Sequence, residues 1–159
     1  MLFTGLSNHS INAKLRLAVP AKYRNQWDAA RDGAAWYCLP WPTGHLRLFT
    51  ENRFRALAEQ REQTLTPGSD EAELEKVIFG FAERVEMDAA GRIAIPRHHL
   101  EMTGLGSEVV VVGAGVRLEV HDRGKWDQQK DDLFKRLPDL VAAVQGGGGG
   151  GGGGGRGKA

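Results

Sequence analysis

The chain has 159 residues, 41% of them hydrophobic and 26% charged, with 21 basic and 20 acidic side chains giving a net charge of +1. A domain takes about 100–200 residues, so the length excludes a large multidomain enzyme, and the balanced composition is that of a chain that mostly folds. No run approaches the ~18 apolar residues of a membrane span, MLFTGLSNHSINAKLR lacks the order of a signal peptide, and the single Cys38 offers neither an internal disulfide nor a thiolate set for zinc. A cytoplasmic protein with no membrane partner is the expectation.

The amino-terminal stretch is basic: Met1 to Arg31 holds Lys14, Arg16, Lys22, Arg24 and Arg31 against Asp28 alone. Within it, NAKLRLAVP (Asn12 to Pro20) alternates, with Leu15, Leu17 and Val19 on one face and Lys14, Arg16 and Ala18 on the other, the pattern of a half-buried strand. AKYRNQW follows with room for one helical turn, and AAWYCLPWP and HLRLF then read as two β-rich runs. Residues 51–86 are acidic, nine acids to five bases, and helical in period. Phe54, Leu57, Ala58 and Leu65 mark a first helix and Leu74, Val77, Ile78, Phe81 and Val85 a second, with Pro67 and Gly68 between them.

DAAGRIAIP (Asp88 to Pro96) repeats the first block. Ala13, Arg16, Ala18 and Pro20 match Ala89, Arg92, Ala94 and Pro96, and RHHLEMTG, EVVVVG and VRLEV then repeat the order of short helix and paired runs. The chain is thus two copies of a strand, short helix and hairpin unit of about forty residues. In the second copy Asp88 can cap its own turn and Gly91 suits a positive φ. The first copy keeps Asn12 but has Leu15 in place of the glycine; a left-handed leucine costs ~1 kcal/mol or more, so that turn is expected to differ in shape. KWDQQKDDLFKRL predicts a last helix that Pro138 kinks or stops, with DLVAAVQ adding a frayed turn. Gly146 begins an unbroken run of ten glycines, expected to be a disordered tail from 146 to 159.

No arrangement points to catalysis, a cofactor or a small-molecule substrate. EVVVVGAGVRL has Gly113 and Gly115 after an apolar strand, but Leu118 stands where a dinucleotide fingerprint needs a third glycine, and VRLEVHD alternates like a strand; GAG is a hairpin turn. His98, His99 and Glu101 fan around a helix instead of converging on a metal, and His9, His45 and His121 have no evident partners. Ser7 and Ser10 lack a nucleophile motif. What remains is the doubled arginine. Two equivalent turns, each ending in an Arg with Lys14 beside the first, would set cations side by side if the units pair about a pseudo-twofold axis, and such a surface suits the phosphates and guanine edges of duplex DNA. The rival reading is structural: Arg92 pairs with Asp88 across its own turn, while Arg16 has no carboxylate at position 12.

From Phe3 to Leu137 the chain resembles the MraZ family, on KLRLAVPAKYR, MDAAGRIAIP, LGSEVVVVG and LEVHDRGKW taken together. The family mark, Asp-x-x-x-Arg in each half, is intact as Asp88 and Arg92 and altered in the first half, where Asn12 and Leu15 replace aspartate and glycine. The resemblance implies an α+β fold: two tandem AbrB-like swapped-hairpin β units, 1–50 and 87–122, forming a pseudo-twofold β-barrel. A helical linker pair at 51–86 and a C-terminal helix at 123–145 complete it. It also implies a nucleoid-associated transcriptional regulator, not an enzyme. Such a protein assembles as a homo-oligomeric ring and reads short G-rich direct repeats of double-stranded DNA in a promoter, usually of its own division and cell wall gene cluster. Lys14, Arg16 and Arg92 are the implied DNA contacts, with Asn12, Asp88 and Gly91 shaping the turns. The alternative is an AbrB-like scaffold turned to protein binding, as an antitoxin or adaptor.

Overall fold

The structure, a computed structural model, describes residues 1–147. In chain order the elements are β1 (Leu6–Ser10), β2 (Arg16–Ala18), α1 (Ala21–Asn25), α2 (Ala29–Asp32), β3 (Trp36–Trp41), β4 (His45–Thr50), α3 (Glu51–Glu59) and α4 (Ser69–Phe81). They continue as β5 (Glu83–Val85), β6 (Arg92–Ala94), α5 (Arg97–Thr103), β7 (Glu108–Gly113), β8 (Leu118–Asp122), α6 (Arg123–Lys135) and α7 (Leu137–Gly147). Met1–Gly124 is one compact unit, and a second begins at Lys125.

The two hairpins expected from the repeat form as β3–β4 and β7–β8. They lie in one antiparallel sheet of order β1-β7-β8-β4-β3-β5, in which β4 pairs with β8 and so joins one repeat to the other. The sheet is open, with β1 and β5 at its edges, and not the closed barrel that was expected. The repeat strands β2 and β6 stand apart as a two-stranded antiparallel ribbon with Leu17 opposite Ile93. Mixed α+β architecture was legible in the alternation of helical and β periods. Two strands were not. In β1, LSNHS has no apolar alternation, and it is a strand because the β7 backbone pairs with it from Leu6↔Val112 to Ser10↔Glu108. The second linker helix was expected to continue through Val85, yet it stops at Phe81. Val85 is instead buried in β5 opposite Trp36, where a β-branched side chain gains more from the core than from an exposed helix face.

The core follows the predicted alternation. Leu17, Val19, Ile93 and Ile95 are buried, as are Trp36, Leu46, Leu48, Val109, Val111, Leu118 and Val120 from the sheet. Phe3, Tyr23, Trp27 and Trp36 form a chain of aromatic contacts with centroids 5.0–5.7 Å apart. Gly113 and Gly115 belong to the β7–β8 turn as expected, and a side chain at Gly113 would collide with the backbone of Thr4.

The short helices occupy equivalent places in the repeats. Tyr23 of α1 and His99 of α5, both buried, each reach a main-chain carbonyl: Tyr23 Oη donates to Thr4 O, and His99 Nε2 to Phe81 O at 2.7 Å. The other His99 nitrogen, Nδ1, lies 3.3 Å from Cys38 Sγ. Burial holds His99 below the usual imidazole pKa, and pushes the buried Cys38 thiol well above its ordinary value.

In the second unit α6 ends at Lys135 and α7 begins at Leu137, so Pro138 falls in the first turn of a new helix, where its missing N–H costs nothing. The expected frayed turn is an eleven-residue helix that takes in Gly146 and Gly147. The rest of the glycine run and the terminal RGKA lie outside the described residues. No helix among the described residues is long and apolar enough to cross a membrane.

Candidate nucleic-acid interface

The two turns ahead of β2 and β6 have the same hydrogen-bond pattern. In the second, Asp88 N donates to Arg92 O (2.8 Å), Gly91 N to Asp88 O (2.9 Å), and the Asp88 carboxylate accepts from the amides of Ala90 (2.9 Å) and Arg92 (3.0 Å). In the first, Asn12 N donates to Arg16 O (3.0 Å), Leu15 N to Asn12 O (2.9 Å), and the Asn12 side-chain oxygen accepts from Lys14 N (3.0 Å) and Arg16 N (2.9 Å). The first turn was expected to differ in shape because leucine resists a positive φ. It does not differ: Leu15 adopts φ 61°, beside 74° for Gly91, and is the only non-glycine residue in that region among the described residues. The side-chain oxygen of Asn12 does what the Asp88 carboxylate does, without the charge.

Two further bonds fix the relation between the turns: Val19 N donates to Gly91 O (3.0 Å) and Ile95 N to Leu15 O (2.8 Å). These are the same bond made twice, once from each repeat, across the β2–β6 ribbon. Local pseudo-twofold pairing therefore brings Lys14, Arg16 and Arg92 to one region, and a shallow depression is lined by Asn12, Ala13, Lys14, Arg16 and Arg92.

Asp88 is the common partner of both arginines. Its Oδ2 lies 3.3 Å from Arg16 Nη1 and 3.5 Å from Arg92 Nε. Arg16 thus finds across the ribbon the carboxylate it lacks in its own turn. Neither guanidinium is locked away, since each side chain keeps 41% of its surface. Ion pairs this exposed are screened by solvent and weak, so Asp88 orients the two forks without sequestering them. Amide donation from Arg92, then from Ala90, with the arginine charges adding to it, keeps the Asp88 carboxyl below the usual carboxylate range. Three cations against one carboxylate leave the region positive. Lys14 is exposed, with its main-chain amide held by Asn12.

The histidines divide differently from the sequence expectation. His98 and His99 do not fan apart as expected: their rings meet edge to face with centroids 4.5 Å apart, and with Glu83, 3.3 Å from His98, they gather within 4.8 Å, while His99 is buried in the core. His45 and His121, which had no evident partners, stack on one another beside Glu119. Aligning HLRLF antiparallel to LEVHD so that their apolar positions coincide would have shown this.

A family model described as "MraZ protein, putative antitoxin-like" matches residues 78–139, the half that keeps the Asp-x-x-x-Arg motif whole. A protein of Coxiella burnetii named transcriptional regulator MraZ is 30% identical over 138 residues, which cover 86% of this chain and 91% of the relative. The chain belongs to the MraZ family. A second MraZ relative of the same name, from Chromobacterium violaceum, is 35% identical over 131 residues, 82% of this chain and 87% of its own. The MraZ regulator of Mesoplasma florum is 26% identical over 147 residues, 92% and 98% of the two chains.

Proposed function

We propose that this chain is a sequence-specific, DNA-binding transcriptional regulator in which Lys14, Arg16 and Arg92 contact double-stranded DNA. One observation carries the reading: two turns of identical hydrogen bonding, joined by the β2–β6 ribbon, set three cations against a single carboxylate on an exposed surface. A guanidinium oriented by one edge still presents its other N–H donors, which can take guanine O6 and N7 in the major groove, while Lys14 serves a phosphate. The exchange of aspartate for Asn12 favours this use, since it keeps the turn and removes a negative charge from a surface meant for a polyanion. On this reading the β2–β6 ribbon and the two hairpins are AbrB-like swapped-hairpin units spanning 1–50 and 87–122. The residues at 51–86 serve as their helical linker and 123–145 as a C-terminal helix. No catalytic residue or cofactor is assigned.

The family resemblance supports the finer reading, a homo-oligomeric ring on short G-rich direct repeats in the promoter of a division and cell wall gene cluster, acting at the nucleoid. A ring suits the physics: one subunit offers few cations, whereas several subunits on one duplex multiply contacts and raise effective concentration. Binding then falls steeply with salt, by about 0.9 logarithmic units per phosphate neutralised for each tenfold rise.

The test is selection of fragmented genomic DNA on the purified full chain, followed by affinity measurement at low salt. The expected outcome is an enriched G-rich repeat, with Arg16→Ala lowering affinity about tenfold or more and leaving the circular dichroism unchanged. Unchanged affinity in Arg16→Ala overturns the assignment of that residue. A second reading, a scaffold for protein partners, is favoured by the open apolar groove lined by Leu39, Trp41, Phe49, Leu57 and Phe79. No DNA enrichment together with a co-purifying protein would select it.

A further inference from the structure

The second turn lacks a cation that the first has. Lys14 stands at the tip of the first turn, and its equivalent in the second is Ala90, exposed and with its amide held by Asp88 as that of Lys14 is held by Asn12. A cation reaches the second turn from elsewhere. Arg24 extends from α1 of the first repeat across Gly91: a side-chain carbon added to that glycine would lie 2.7 Å from both Nε and Nη1 of the arginine. Nε donates to Val19 O at 2.9 Å, and Val19 N donates in turn to Gly91 O at 3.0 Å, so the guanidinium is fixed at the junction of the two repeats. Arg24 is exposed, and its Nη1 and Nη2 have no hydrogen bond or ion pair among the described residues.

We propose, resting on the DNA-binding reading above, that Arg24 is a fourth contact with the duplex, gripping a phosphate beside the second turn as Lys14 does beside the first. Packing does not ask for a charge here. In the other repeat the equivalent place is filled by Leu100, in one groove with Leu15, and that turn keeps every main-chain hydrogen bond. An arginine in this place requires glycine at 91 and brings a charge that no carboxylate takes up, since Asp88 pairs with Arg16 and Arg92. With Nε committed to Val19, the two terminal nitrogens remain as a planar fork, which matches two oxygens of a phosphate. A side chain already held by Nε also loses little rotamer freedom on binding. The ribbon thus carries an ammonium at one tip and a braced guanidinium beside the other, and a duplex meets unlike cations at the two turns.

The test is titration of the full chain with a selected genomic fragment and with a scrambled duplex of equal length, over a range of salt. Arg24→Gln removes the charge and keeps a side-chain N–H for Val19 O. It should weaken both complexes about fivefold, leave the preference for the selected fragment unchanged, and make the salt dependence less steep by about one logarithmic unit per bound subunit. Arg16→Ala, by contrast, should erode the preference. Adding Ala90→Lys to Arg24→Gln should restore affinity and slope; a loss that it does not repair marks Arg24 as a brace and overturns the proposal. Unchanged affinity and slope in Arg24→Gln, with Arg16→Ala weakened, overturns the role of Arg24 alone, whereas failure of the unaltered chain to hold either duplex overturns the DNA-binding reading with it. Should Arg24→Gln not fold, modification of the unaltered chain by an arginine-directed dicarbonyl decides. Bound DNA should shield Arg24 and leave the exposed Arg55 of α3 reactive, and an unshielded Arg24 overturns the assignment.

Discussion

The turns at Asn12–Arg16 and Asp88–Arg92 have one backbone and two chemistries. Position for position, a neutral amide replaces a carboxylate and a leucine replaces a glycine, yet every main-chain hydrogen bond persists. The explanation lies with the residue each turn faces. A side-chain carbon added to Gly91 would lie 2.2 Å from Arg24 Cδ, because Arg24 crosses the turn and donates from Nε to Val19 O at 2.9 Å. The residue equivalent to Arg24 in the second repeat is Leu100. Leu100 lines one groove with Leu15, Ile11 and Leu105, so Leu15 packs in apolar company that offsets its left-handed φ. What the repeats exchange is a pair, glycine with arginine in one half and leucine with leucine in the other.

The largest expected effect breaks that pairing. Gly91→Leu should destabilise the protein by ~2–4 kcal/mol through left-handed strain and collision with Arg24. Leu15→Gly, which trades strain for lost packing and greater unfolded-state entropy, should change stability by no more than ~1 kcal/mol. Denaturant titration checks both, and a tolerated Gly91→Leu would show that the facing residue does not decide.

Next comes acid. Tyr23 and His99 fill equivalent places, but only His99 is a base, and burial holds its folded pKa below the unfolded value near 6.5. The unfolded chain therefore binds more protons as pH falls below about 6.5, and the stability present above that value is progressively lost. Melting temperature should fall from pH 7.5 to 5.5, and His99→Asn should lessen the slope without abolishing it, since burial also holds His45, at about 4, and His9 below the usual imidazole value. An equal slope in that variant would place the sensitivity elsewhere.

The smallest effect sharpens the electrostatic half of the comparison. Asn12→Asp should leave the fold unchanged and weaken DNA binding by ~1 kcal/mol, or about fivefold, by returning a negative charge beside Lys14 and Arg16. Unchanged affinity would mean that Asn12 is electrostatically idle.

Much of this was legible in the chain. The period-two runs locate the ribbon strands and both hairpins, and the offset between Asn12 and Asp88 pairs the turns. The failures share a cause, since each depends on a neighbour distant in sequence. Taken alone the left-handed φ of Leu15 is costly, while the Leu100 that compensates it is contributed by α5. Position 12 offers Arg16 no carboxylate, and the one it meets comes from the other repeat. LSNHS carries no strand pattern of its own and borrows one from β7. His45 and His121 appeared solitary because their meeting is a property of strand register, which no local spacing displays.

The ribbon at Leu17↔Ile93 ties residues seventy-six positions apart. On a ribosome adding roughly 5–20 residues per second, Leu17 and Val19 wait roughly 4–15 s for their partner strand to be made. The amino-terminal half therefore emerges with its core face open and cannot close early, which places this chain among those whose folding is governed by late, long-range contacts and whose nascent form needs shielding from its own kind.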